Sequence, residues 1–148
     1  AIGVDAKFQG YSSTQYFGPW ANDGILAKGK FDIGMFAQSA DVDPDGGAGN
    51  YYSTQIPTDA NKGNGANYGR ISDPAIDKGF DTEKSTVDIA ARKAAFSSIY
   101  QTLYDKVYEG ALYTRVNNYI VSNKVHNYKA NPTTDANLWN VVEVWVDQ

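Results

Sequence analysis

The chain has no cysteine, a single histidine and a single methionine, and its 17 acidic residues outnumber its 13 basic ones to leave a net charge of -4. Without cysteine there is no disulfide framework and no thiolate metal site. His126 alone cannot complete a zinc set without several carboxylates. The acidic balance argues against nucleic acid, whose phosphates call for a basic face that displaces counterions. No run approaches the roughly 20 consecutive apolar residues that a membrane helix needs.

What is present describes a folded domain. The 148 residues are 42% hydrophobic and 20% charged, and a chain of this size buries roughly 70% of its unfolded surface in one core. Tyrosine supplies 11 of the aromatic residues, beside 6 Phe and 3 Trp. Its apolar face and polar tip suit half-buried or ligand-gripping surfaces. The start, Ala1-Ile2-Gly3-Val4, lacks Met and any basic leader, and reads as a mature form or a cut-out piece.

Ile2, Val4, Ala6 and Phe8 alternate along a stretch that reads as a strand. The hydroxyls of Ser12-Ser13-Thr14 offer caps to a short helix with Phe17, Trp20, Ile25 and Leu26 toward the core, interrupted by Gly18-Pro19 and ended by Gly29. Phe31 to Ala37 reads as a second, buried strand. From Gln38 to Asp73 the chain is rich in Gly, Asn, Asp and Ser, which predicts a long loop with Tyr51 and Tyr52 as anchors or ligand contacts, and a mobile tip at Asn61 to Asn67. Asp73-Pro74 opens a short helix to about Phe80. Ser85 to Asp88 resembles a capping box before the strongest helix pattern, a stripe of Ile89, Phe96, Ile99, Leu103 and Val107 widened by Tyr100, Tyr104 and Tyr108. Ala111 to Ser122, Lys124 to Tyr128 and Leu138 to Val146 read as strands.

Few residues carry a chemical signature. Asp41-Val42-Asp43-Pro44-Asp45-Gly46 opens like a calcium loop, but Tyr52 occupies the place of the bidentate glutamate and Pro44 stiffens the turn, so an acidic turn is the expectation. No nucleophile elbow accompanies His126. Among Asp41, Asp43, Glu83, Glu109 and Glu143, nothing in the sequence pairs two carboxylates for glycosidase chemistry. The glycines of Gly63 to Gly69 lack the lysine of a phosphate loop, and Pro132 excludes glycosylation at Asn131. Arg115 sits in an otherwise apolar run, where a charge calls for an acidic partner, an exposed face or an anionic ligand. No catalytic, metal or cofactor site is expected.

In order along the chain, Ile2-Gly3-Val4-Asp5, Gly29-Lys30-Phe31-Asp32-Ile33, the Asp43-Pro44-Asp45 turn, Asn67-Tyr68-Gly69-Arg70-Ile71-Ser72-Asp73-Pro74-Ala75-Ile76-Asp77, the Ala91-Arg92 helix, Leu112-Tyr113 and Trp139-Asn140 resemble the C-terminal part of the family 5 extracellular solute-binding proteins, the peptide-type receptors of ABC importers. The resemblance implies an α/β, periplasmic-binding-protein-like C-terminal lobe, similar to domain 3 of dipeptide-binding proteins, with a small mixed sheet and packed helices. Residues 1–148 would form a single domain, a partial lobe of a two-lobed clamp, with 138–148 a strand returning toward the other lobe. It implies capture of a small solute, peptide or oligosaccharide, for importer membrane subunits, in an extracellular or periplasmic setting or as a tethered lipoprotein. Gln38, Ser39, Asp41, Tyr51 and Arg115 are the expected ligand-binding residues. In peptide-binding members an aromatic residue and then an aspartate precede the acidic turn. Here those places fall on Ala37 and Ala40, with Asp41 one position off, which leaves sugars and other solutes open. Two rival readings are a free-standing carbohydrate-binding module, from the tyrosines with Trp20, Trp139 and Trp145, and an assembly domain forming a homodimer.

Overall fold

The computed structural model describes residues 3–39, 41–133 and 136–147. Of the expectations above, those placed on Ile2 and Ala40, and the end of the 138–148 strand, fall outside the described residues. The architecture is mixed, with helices and one two-stranded antiparallel sheet. The chain divides into two compact units, Ala1–Gly34 with Gly49–Pro74, and Met35–Ala48 with Ala75–Gln148.

The first unit begins with helix α1, Ser13–Tyr16, capped by the Ser12 hydroxyl, which accepts from the Gln15 N–H at 3.3 Å. Gly18-Pro19 breaks the expected helix into pieces: a 3₁₀ turn follows at Trp20–Asn22, then α2 at Ile25–Lys28. Gly29 ends α2 at φ 66°, a left-handed conformation in which glycine carries no Cβ penalty. Of the four residues expected to face inward, Leu26 is buried, Trp20 and Ile25 are half-buried and Phe17 is exposed.

The long loop within this unit is organised by side chains bonding to backbone. Asn67 is fully buried. Its Nδ2 donates to the carbonyls of Tyr52 at 2.9 Å and Ile71 at 2.8 Å, and its Oδ1 accepts from the Ile71 N–H at 3.0 Å. Arg70, itself left-handed at φ 54°, donates to the carbonyls of Pro57 and Ala27, each at 2.9 Å. Asn61 closes the predicted mobile tip, accepting from Thr58 and Gly63 N–H groups and donating to the Ile56 carbonyl. A buried backbone must find such partners, and here they come from Asn and Arg side chains in place of a ladder.

In the second unit α3 spans Pro74–Lys84, one turn beyond the predicted end at Phe80, and α4 spans Ile89–Asp105. Asp88 itself is the cap of α4, accepting from the Ala91 N–H at 2.7 Å. The four-residue spacing brings Ile76 and Phe80 of α3, and Ala95, Ile99 and Leu103 of α4, into the core. A Cβ on Gly79 would collide with Ile99, so glycine permits the close approach of the two helices there. Phe80 and Phe96 meet edge to face, with ring centroids 6.3 Å apart. The predicted stripe is shorter than expected. Ile89 and Val107 are exposed, and Tyr100, Tyr104 and Tyr108 stand toward solvent and do not widen the core. Val107 lies beyond the helix in a left-handed conformation.

The sheet pairs β1, Val125–His126, with β2, Trp145–Val146, in the register Val125 to Val146 and His126 to Trp145. The His126 ring stacks on Trp145 at 3.9 Å. Asn140, buried, donates to the Asn127 carbonyl at 2.7 Å. The other predicted strands do not form among the described residues. Residues 4–10, 31–37 and 111–122 carry no sheet pairing, because an alternating pattern supplies an apolar face but no ladder partner. The two-stranded antiparallel pair thus stands where a small mixed sheet was expected.

Candidate functional site

The polar centre of the second unit is built by three segments. The acidic turn carries Asp43 and Asp45, the end of α3 carries Glu83 and Lys84, and the first turn of α4 carries Arg92. The period of α3 explains why a glutamate is buried there. Ile76, Phe80 and Glu83 sit at i, i+4 and i+7, on one helical face, and Glu83 is 1% exposed.

Arg92 joins the three segments. Its Nε and Nη2 both donate to Glu83 Oε2, at 3.1 and 2.9 Å, and Nη2 also donates to Asp43 Oδ1 at 2.7 Å. Asp43 Oδ1 accepts in addition from the Asp45 backbone N–H at 3.0 Å. The fork of a guanidinium matches a carboxylate in a way no ammonium does. These bonds act in opposite directions on the two acids. Arg92, with help from the Asp45 N–H, holds Asp43 below the usual carboxylate range. Burial pushes Glu83 up despite Arg92, and neighbouring Asp45 pushes it further. Asp43 first, then Glu83, raises the Arg92 guanidinium above its ordinary value.

Around this cluster lies a cleft of about 610 Å³ whose rim includes Val87, Ile89, Lys93 and Phe96. The calcium-like turn lines it, but its carboxylates are engaged by cations of the protein. Asp43 is taken by Arg92, and Asp45 Oδ1 is 3.4 Å from Lys84 Nζ. Among the described residues no group of three or more acidic or histidine side chains is placed to hold a metal ion.

A second cleft, of about 520 Å³, lies within the first unit between Phe17, Trp20, Asn61, Lys62 and Tyr68. Its aromatic and amide lining has the composition of a sugar site. The Trp20 ring, however, is occupied: Lys28 Nζ stands 3.6 Å from its centroid, and Gly63 lies so close to Trp20 that a Cβ would overlap it. A tryptophan whose ring is already covered offers no platform for stacking.

The residues expected to bind ligand are dispersed. Gln38, Ser39 and Asp41 are exposed in one short stretch of the second unit, and the Asp41 side chain lies against Gly46 of the acidic turn. Arg115 is exposed in segment 111–122, which has no regular secondary structure, and makes no ion pair among the described residues. None of these four lines the cleft around Arg92. Tyr51 is half-buried in the first unit.

Sequence reasoning passed over Glu83 and Arg92 as a pair, although both interrupt apolar helical faces. Arg92 lies three and seven residues before Ala95 and Ile99, and a charge recurring on a buried face is the available signal. No protein-family model, curated protein or solved structure matches the chain.

Proposed function

We propose that the chain serves ligand capture for an ABC importer, as part of a peptide-type solute-binding protein, and that it is a periplasmic-binding-protein-like C-terminal lobe acting outside the cytoplasm. Its role is capture and not conversion. The observation that carries this reading is segment 111–122, which has no regular secondary structure. Leu112, Tyr113, Val116 and Ile120 are 71%, 78%, 81% and 102% exposed there, with no strand paired to them among the described residues. A run of strand-forming residues holding this much apolar surface in water suits a segment that pairs inside a larger sheet. Ile33 and Met35, 91% and 60% exposed, repeat the situation in the segment before the acidic turn. The order of motifs from Gly29 to Asn140 supports the same reading. In it Gln38, Ser39 and Asp41 would offer polar contacts to the solute, Tyr51 an aromatic face and Arg115 a charge for an anionic group.

The test is native mass spectrometry of the protein purified without added ligand, before and after mild unfolding, together with titration by dipeptides, oligopeptides and oligosaccharides. Release of a species of peptide or oligosaccharide mass supports capture and identifies the class. Absence of any bound solute, with a mass that doubles as concentration rises, replaces it with an assembly domain.

A further inference from the structure

Two carboxylate oxygens in the cleft of the second unit have no hydrogen-bond partner. Glu83 Oε1 and Asp45 Oδ1 are both shut off from solvent and accept no hydrogen bond. The 3.4 Å separation between Asp45 Oδ1 and Lys84 Nζ gives charge attraction without hydrogen-bond geometry, and the Lys84 side chain is 46% exposed. Arg92 spends its bonds on the other Glu83 oxygen and on Asp43. Glu83 and Asp45 line the same cleft, and the Asp45 charge adds to the upward push on Glu83. Two carboxylates brought together in one cleft repel when both are charged, whereas one proton shared between them would replace the repulsion with an O–H···O bond.

We propose that Glu83 and Asp45 share one proton, and that this proton latches the acidic turn Asp43–Gly46 onto the ends of α3 and α4. The proton resides on Glu83 Oε1 and is donated to Asp45 Oδ1. When it leaves to solvent, only that O–H bond is lost, both carboxyls are anionic, and the turn is repelled from Glu83. The charged groups facing the pair are Asp43 on the turn, Lys84 on α3, and Arg92 and Lys93 on α4. Arg92 is bonded to Glu83 Oε2 and Asp43, so it fixes the glutamate without satisfying Oε1. The latch rests on two buried oxygens without hydrogen-bond partners in one cleft, and is independent of the receptor reading.

The upward push that burial gives Glu83 agrees with a retained proton. A carboxyl that binds its proton more tightly folded than unfolded stabilises the fold at low pH. That contribution is lost as pH rises from the ordinary glutamate value through the folded one. Thermal unfolding from about pH 4 to pH 8 would be followed for the intact chain, for Glu83→Gln and for Asp45→Asn, each substitution placing a permanent N–H where the shared proton sits. The expected result is a melting temperature that falls with rising pH in the parent and falls less steeply in either variant over that range. The ¹³C resonance of the Glu83 carboxyl should titrate at a higher pH in the folded chain than in the urea-unfolded chain. Parallel pH profiles for the parent and a folded variant would overturn the latch. If neither variant folds, the carboxyl titration decides, and a midpoint at or below that of the unfolded chain overturns it.

Discussion

Arg92 grips Glu83 with two donors on one oxygen, at 3.1 and 2.9 Å, and leaves the other oxygen of the same carboxylate without a partner. The guanidinium thereby acts as a hinge pin between the two helices. Its Nη2 extends the grip to Asp43, 49 residues away in sequence. The arrangement has a pH signature on its acidic side as well. Asp43, held low chiefly by Arg92, contributes stability above the ordinary aspartate range, and that contribution is lost as pH falls through its folded value. Asp43→Asn is expected to flatten the acid limb of the melting profile while leaving the Glu83 limb. Arg92→Ala should remove the acid limb and lower the melting temperature at neutral pH more than Lys93→Ala does. Circular dichroism melts across pH measure both.

Asn67 should be the most sensitive position of the first unit. Its three bonds satisfy the Tyr52 carbonyl and both backbone groups of Ile71. Asn67→Ala would leave those groups buried and unpaired, at a cost of about 1–3 kcal/mol. Asn67→Asp should also destabilise, because it replaces the Nδ2 donor with an acceptor. Urea denaturation followed by tryptophan fluorescence reports the change, and an unaltered midpoint in both variants would remove Asn67 from the account of loop order.

Gly79 faces Ile99 too closely for any side chain. Gly79→Ala gains helix propensity of roughly 1 kcal/mol but overpacks the contact, which costs typically 1–3 kcal/mol. A net loss is expected, and Ile99→Val should relieve part of it in a double-mutant cycle. If Gly79→Ala stabilises the chain, the two helices do not meet at this point.

For the proposed capture of a solute, Asp41→Ala and Arg115→Ala are expected to weaken binding while leaving the melting temperature nearly unchanged, since both side chains are exposed. Calorimetric titration with the solute released from the purified protein would measure it. Unchanged affinity in both variants would displace the binding surface from these residues.

Much of this molecule is written in short-range pattern. Ser12 and Asp88 cap their helices because their side-chain oxygens reach an N–H three residues ahead, a relation contained within one turn. Gly29 ends α2, and Ala95, Ile99 and Leu103 turn inward, for equally local reasons of φ and period. The strands were different. The alternation in 4–10, 31–37 and 111–122 predicts a face and not a neighbour, and among the described residues only Val125–His126 and Trp145–Val146 find each other. Tyr100 and Tyr104 likewise follow the helical period, yet they stay 53% and 77% exposed, Tyr100 stacking on Phe96 at the edge of the core.

The sequence by itself therefore determined the acidic, cysteine-free composition, the helix caps and stops, and which helical faces are apolar, because each depends on residues within one or two turns. Tertiary structure alone decided that Asn67 and Arg70 would order the long loop, and that Asp43, Asp45, Glu83 and Arg92 would meet. Apart from the 9-residue Glu83–Arg92 step, those contacts join segments 13 to 49 residues apart, and no local propensity encodes which distant carboxylate a half-buried arginine will find.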